Sequence, residues 1–193
     1  MIPSRAKTLL ICLALTSASA IAAPVSYTID PTHTYPSFEA DHMGLSYWRG
    51  KINKNSGVVV LDKEAGTGTV EIDIDLASVD FGLDAMNTWA TGKDFFNVTE
   101  SPKATFKGAL EKFVEGSPTV VIGSLTLNGH KKPVNLTITR FKCMPHPMVK
   151  RELCGADAVG SFKRDDFGLD AGKAYGFSMD VALRIQVEAV ASK

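Results

Sequence analysis

Neither sign of charge is in excess among these 193 residues: 21 Lys+Arg face 21 Asp+Glu, for a formal net charge of +0. A balanced chain carries no field that would draw it to nucleic acid or to an anionic membrane surface, so neither is expected as a partner. Signatures of catalysis are missing as well. The chain holds no G-x-S-x-G, H-E-x-x-H, P-loop or G-x-G-x-x-G arrangement, and Gly66 to Gly68 reads as a turn entering a strand. The sequence therefore argues against an enzyme, and no cofactor or resident metal is expected. Past Ala23 no apolar run is long enough to cross a bilayer as a helix. Repeats, low-complexity tracts and a dividing linker are also absent, which leaves a single domain whose 45% hydrophobic content is ordinary for a packed protein.

Cysteine is scarce, and what remains of it depends on the first residues. "MIPSRAKTLLICLALTSASAIAAP" opens with Arg5 and Lys7, continues with a short apolar run from Leu9 to Leu15, and ends in small residues at Ala22 and Ala23. That order predicts a secretory signal peptide over residues 1–22 and an exported domain over residues 23–193. Cys12 would leave with the signal, so Cys143 and Cys154 in "CMPHPMVKRELC" remain as an even pair in an oxidising compartment, where a disulfide is the default. The rival arrangement is a metal or redox site built from Cys143, His146 and Cys154, with Met144 and Met148 suited to a soft ion.

Most of the exported chain alternates with period two. In "TVEIDIDLASVD", Val70, Ile72, Ile74 and Leu76 point one way while Glu71, Asp73 and Asp75 point the other. The same alternation recurs at Leu125 and Leu127, then after Asn128-Gly129 at Val134, Leu136 and Ile138, and again from Met179 to Val187. Asn-Gly between alternating runs signals a hairpin. With further runs at 27–29, 38–42, 50–52, 57–61, 104–110, 119–122 and 156–162, about eight short strands emerge, the pattern of an all-β antiparallel barrel or sandwich. "LDAMNTWATGKDFF" alone has helical character, with Met86 and Trp89 at i, i+3 and Asp84 placed to cap it; it predicts a short helix or ordered loop across a barrel end.

His33 and His42 bracket "HTYPSFEADH" but do not form a metal clamp, because an extended chain at about 3.3 Å per residue holds them nearly 30 Å apart. His42 shares its parity with Phe38 and Ala40 and is expected to face inward; His33 reads as a turn or strand-end residue.

Several stretches together resemble one known family: "YTIDPTHTYPSFEADHMGLSYWRGKI", "SVDFG" followed by "KDFFNVTESPKATFKG", "GSLTLNGHKKPVNLTI", and "FKRDDFGLD" followed by "VALRIQVEA". In this order they are similar to the YceI-like, polyisoprenoid-binding periplasmic proteins of bacteria. The resemblance implies an eight-stranded, lipocalin-like antiparallel barrel with a long apolar cavity, located in the periplasm, that holds a polyisoprenoid or isoprenoid-quinone lipid and performs no chemistry on it. On that view Phe38, His42, Ile72, Ile74, Phe106, Leu125, Leu127, Leu136, Phe162, Leu183 and Ile185 become the candidate lining, and His42, Trp48, Trp89 and the cysteine-bracketed loop become neighbours at the cavity mouth. A homodimer and an envelope protein partner stay open as further expectations.

Overall fold

The structure is a computed structural model and describes residues 23–193, so the signal-peptide reading of residues 1–22 lies outside the described residues. Twelve strand segments form one antiparallel sheet: β1 Val25–Ile29, β2 Tyr35–His42, β3 Ser46–Ile52, β4 Asn55–Asp62, β5 Thr67–Asp75, β6 Val79–Asp80, β7 Lys103–Glu111, β8 Val120–Leu127, β9 His130–Pro133, β10 Leu136–Pro145, β11 Glu152–Lys163 and β12 Asp180–Ala191. Among the described residues one α-helix, α1, covers Asp84–Thr91.

Pairing reduces the twelve segments to eight staves. β1 and β2 both lie along β12, with Ile29 opposite Ala189 and Tyr35 opposite Gln186, so they are one stave interrupted by the turn around His33. β3 and β4 follow β2 and β1 as the next broken stave, β6 and β5 follow them, and β9 and β10 share β8 as partner. The meander closes where β1 pairs with β12, giving the expected eight-stranded antiparallel barrel, in which β10 meets β8 only at Leu136 and Thr137. The alternating row Val70, Ile72, Ile74 and Leu76 faces the barrel interior, and a turn then separates β5 from β6. Asp75 accepts a hydrogen bond from the Ala77 amide at 3.0 Å, a local bond that competes with the ladder and turns Leu76–Ser78 into a 3-10 turn.

The Asn128-Gly129 hairpin is present: Leu127 pairs with His130, and both turn residues have positive φ, 48° and 76°, as a two-residue hairpin turn requires. A bulge between Ile138 and Arg140 shifts the parity of β10, so that Phe141 continues the inward row begun by Leu136 and Ile138. Outward residues pair across strands instead: Glu39 accepts from Arg49 at 2.9 Å and faces Arg184 at 3.3 Å. Asp84 is not the helix cap. Leu83 occupies that position without a side-chain bond, and Asp84 is the first helical residue, where its charge favours the helix dipole.

The two barrel ends differ. One, the helix end, carries the 43–45 turn, α1, the Asn128-Gly129 turn and the segment 164–179. The other carries the turns 63–66, 112–119 and 146–151, together with the start of β1 and the end of β12.

A candidate ligand cavity inside the barrel

The inward rows enclose a cavity of about 550 Å³ with an almost wholly apolar wall. Ten of the eleven candidate residues line it: Phe38 from β2, Ile72 and Ile74 from β5, Phe106 from β7, Leu125 and Leu127 from β8, Leu136 from β10, Phe162 from β11, and Leu183 and Ile185 from β12. His42 does not. β12 runs alongside β2 only from Tyr35 to Ala40, so the last residues of β2 overhang the barrel with β3 as their sole strand partner. There the His42 ring stacks on Trp48 at 4.3 Å and meets Phe177 edge-on at 5.0 Å. Its inward position is thus corrected: it supports two lining aromatics from behind.

Close approach of two glycines shapes the wall. The Phe38 ring lies against Gly50, where an added Cβ would stand 2.5 Å from its Cζ, and Phe106 covers Gly123 at the same distance. Glycine at these places lets an aromatic ring lie flat on the neighbouring strand.

The end away from α1 is shut. Tyr27, Leu61, Leu110, Pro118 and Val121 are buried there. The Tyr27 hydroxyl donates to Glu152, whose other oxygen accepts from Lys63 at 2.6 Å. Burial and the neighbouring carboxylate push the Tyr27 phenol far above its usual range, so it presents a neutral hydroxyl. Burial raises the Glu152 carboxyl, but the bonds from Lys63 and Tyr27 outweigh it and hold the group below the usual range.

The helix end is the accessible one. Lining residues Trp48 and Trp89 keep 37% and 41% of their surface exposed, in contrast to the buried set opposite. Met86 and Trp89, one helical turn apart, both face the cavity from α1, and Trp89 stacks on Phe95 at 4.7 Å. Phe81 meets Phe38 edge-on at 5.4 Å.

Cys143 and Cys154 form a disulfide between directly paired residues of β10 and β11, with Cα atoms 4.0 Å apart. It belongs to the shut end, since β11 leaves that end at Glu152 and reaches the helix end only at Lys163. The expectation that this loop borders the mouth with Trp48 and Trp89 is therefore corrected: the whole length of β11 separates them. The bridge also ties up both sulfurs of the alternative metal arrangement. The Nδ1 of His146 accepts from the amides of Met148 and Val149 at 3.1 and 3.3 Å, closing its own turn. Glu152, not His146, is the carboxylate or imidazole group grouped with the two sulfurs, within 4.8 Å. His33 lies outside the cavity, in a turn where its Nδ1 meets Asp30 at 2.8 Å.

Several lining residues lay outside the candidate set, among them Phe81, Phe95, Phe177 and, the one cation of the lining, Arg164. Arg164, at the helix end, is 7% exposed and donates to the carbonyls of Leu169, Ala171 and Ser178 at 2.8, 2.7 and 3.3 Å. The signal was there: Cys154, Ala156, Ala158 and Phe162 form the inward row of β11, and Arg164 is the next position of that parity.

A family model described as the YceI-like domain matches residues 27–189. The protein YceI of Salmonella arizonae is 32% identical over 184 residues, covering 94% of this chain and 94% of that protein. Among solved structures, BcnA of Burkholderia cenocepacia matches with a TM-score of 0.66 at 22% identity, covering 83% of this chain and 99% of its own. A polyisoprenoid binding domain from Saccharophagus degradans matches with a TM-score of 0.63 at 18% identity, covering 87% of this chain and 99% of its own.

Proposed function

The chain belongs to the YceI-like family, and on that premise we propose that it is a non-catalytic periplasmic binding protein that holds one polyisoprenoid or isoprenoid-quinone chain inside its barrel. The observation that carries this reading is the apolar cavity of about 550 Å³, within the range of ligand sites, shut at one end and rimmed by aromatics at the other. An empty space of that size is costly. At the roughly 24 cal/mol per Å³ found for engineered core cavities, an unfilled 550 Å³ forgoes on the order of 13 kcal/mol of packing, as much as many whole domains are stable by. An apolar chain restores it, at about 0.8 kcal/mol per buried methylene before the loss of chain freedom is charged. A branched, methyl-studded isoprenoid suits walls built from Phe, Leu and Ile side chains, and the structurally similar domain from Saccharophagus degradans is described as binding polyisoprenoids. A module that only contacts a protein partner would fill its barrel.

Trp48 and Trp89 give the test, because both line the mouth. Titrating a delipidated sample with an isoprenoid quinone is expected to quench their fluorescence saturably at one quinone per chain. No saturable quenching, together with no displacement by an unlabelled polyprenol, would overturn the reading.

A further inference from the structure

Arg164 poses a problem that the apolar walls do not. Its side chain is more than nine-tenths buried, it lines the cavity, and among the described residues no carboxylate lies within ion-pair distance of it. Asp165, the nearest acid in sequence, gives its Oδ2 to Lys173 at 2.7 Å instead. Asp170 is exposed. A guanidinium keeps its proton under all ordinary conditions, so a permanent positive charge lies in the wall at the helix end of a mostly apolar cavity. Burial works against that charge, opposed by the more distant Asp165 and Asp170 carboxylates.

The three carbonyl bonds account for part of the side chain only. Guanidinium has five N–H donors. One bond leaves Nη1 and two leave Nη2, so Nε–H and one N–H of Nη1 have no protein partner among the described residues. Elsewhere in this part of the lining, Asp41 Oδ2 accepts from the Gly44 amide at 2.8 Å and Ser178 Oγ accepts from the Asp180 amide at 3.1 Å; Arg164 is the one cation among the lining residues. Holding the 164–179 segment would need a donor but not a cation. A neutral side chain could serve carbonyls at a smaller desolvation cost.

We propose that Arg164 is the headgroup subsite of the cavity: its unpartnered N–H groups bind an oxygen acceptor, phosphoryl or quinone carbonyl, on the polar end of the bound isoprenoid. The lipid then lies with its head beside the 164–179 segment and its tail toward Tyr27. The inference rests on the lipid-binding reading above and adds the orientation and polar chemistry of the ligand. Because the charge is buried, its bonds to an acceptor are strong, and an acceptor-free chain gains nothing from it.

Three probes with tails of six isoprene units separate the alternatives: squalene, which has no head, a six-isoprene benzoquinone, and hexaprenyl phosphate. Wild-type protein is expected to bind at least one headed probe tenfold or more tightly than squalene. R164Q is expected to remove that preference, bringing the headed probes down to the affinity of squalene; R164K, which keeps the charge without the fork, retains part of any phosphate preference. Which headed probe gains identifies the acceptor. Equal affinity of the wild type for all three probes would overturn the subsite and leave the carrier reading intact, and this comparison stands even if R164Q does not fold. A folded R164Q that weakens all three alike would also overturn it, since that is the signature of a residue that only staples the segment. Failure of the wild type to bind any probe would sink the carrier reading itself.

Discussion

Replacing Leu125 with tryptophan puts a larger side chain on the cavity wall next to Phe106, its directly paired neighbour on β7. Two outcomes are distinguishable in advance. In a filled core the added atoms overpack, at a cost of about 1–3 kcal/mol, and for a domain of this size each kcal/mol lowers Tm by roughly 2–4 °C. A filled barrel therefore predicts a fall of roughly 2–12 °C. In a cavity of about 550 Å³ the indole enters open space, and each further Å² of apolar surface removed from water contributes about 25 cal/mol. Tm of the delipidated variant then stays level or rises, while its capacity for isoprenoid falls because the void is smaller. Leu183→Trp, from the non-adjacent stave β12, should behave alike. Scanning calorimetry and a lipid-uptake assay on the same samples read both quantities. A clear drop in Tm with unchanged uptake in both variants would refute the reasoning, because it would mean that the walls are in contact and no lipid lies between them.

Other consequences follow from single features. The disulfide spans 11 positions, so in the chain-entropy model reducing it costs about 3 kcal/mol and lowers Tm by roughly 6–12 °C; because the bridge lies at the shut end, lipid affinity should hardly move. Thermal scans with and without reductant, beside a binding titration, check both halves. Bonds from Thr32, opposed by burial and aided by His33, hold the Asp30 carboxyl at about 2, and the bond to Asp30 raises the His33 imidazole above its ordinary range. The Asp30 contribution to stability is accordingly present above its unfolded value of about 3.9 and lost as pH falls toward about 2, whereas the His33 contribution is full below about 6.5 and fades as pH rises through the raised value. NMR titration should show both midpoints, and D30N should return His33 to the ordinary one; an unshifted wild-type His33 would contradict the bond. At the wall, G50A forces the Phe38 ring out of its place and should destabilise by about 1–3 kcal/mol. Because the three atoms nearest that position all belong to the Phe38 ring, F38L should recover much of the loss in a double-mutant cycle, and purely additive losses would refute the contact.

What could be read from the sequence tracks what is periodic. Inward rows such as Ile72–Ile74 and Leu183–Ile185 were legible because a strand with one wet face must alternate, and the Asn128-Gly129 hairpin because only a few residues accept its positive φ values. Whether those rows pack together or enclose a cavity was not legible, since both arrangements bury the same face; the family resemblance supplied that step. Local bonds also escaped. The Asp75 side chain closes the turn that separates β5 from β6, and the bulge at Thr139 moves the inward row of β10 by one. Parity failed at His42 because it says which way a residue points and nothing of where the partner strand ends. It would have succeeded at Arg164, the residue that hydrophobicity alone rejects as lining. The end to which the Cys143–Cys154 loop belongs depends on counting staves, which periodicity within single strands does not give.

The central claim, an isoprenoid chain held in the barrel, is tested most directly by native mass spectrometry of the protein released gently from its own cells, with organic extraction of the same sample and a detergent-washed control. A stoichiometric adduct that extraction recovers as a polyprenyl or quinone lipid is the predicted result. A bare chain that also remains bare after incubation with such lipids would contradict it.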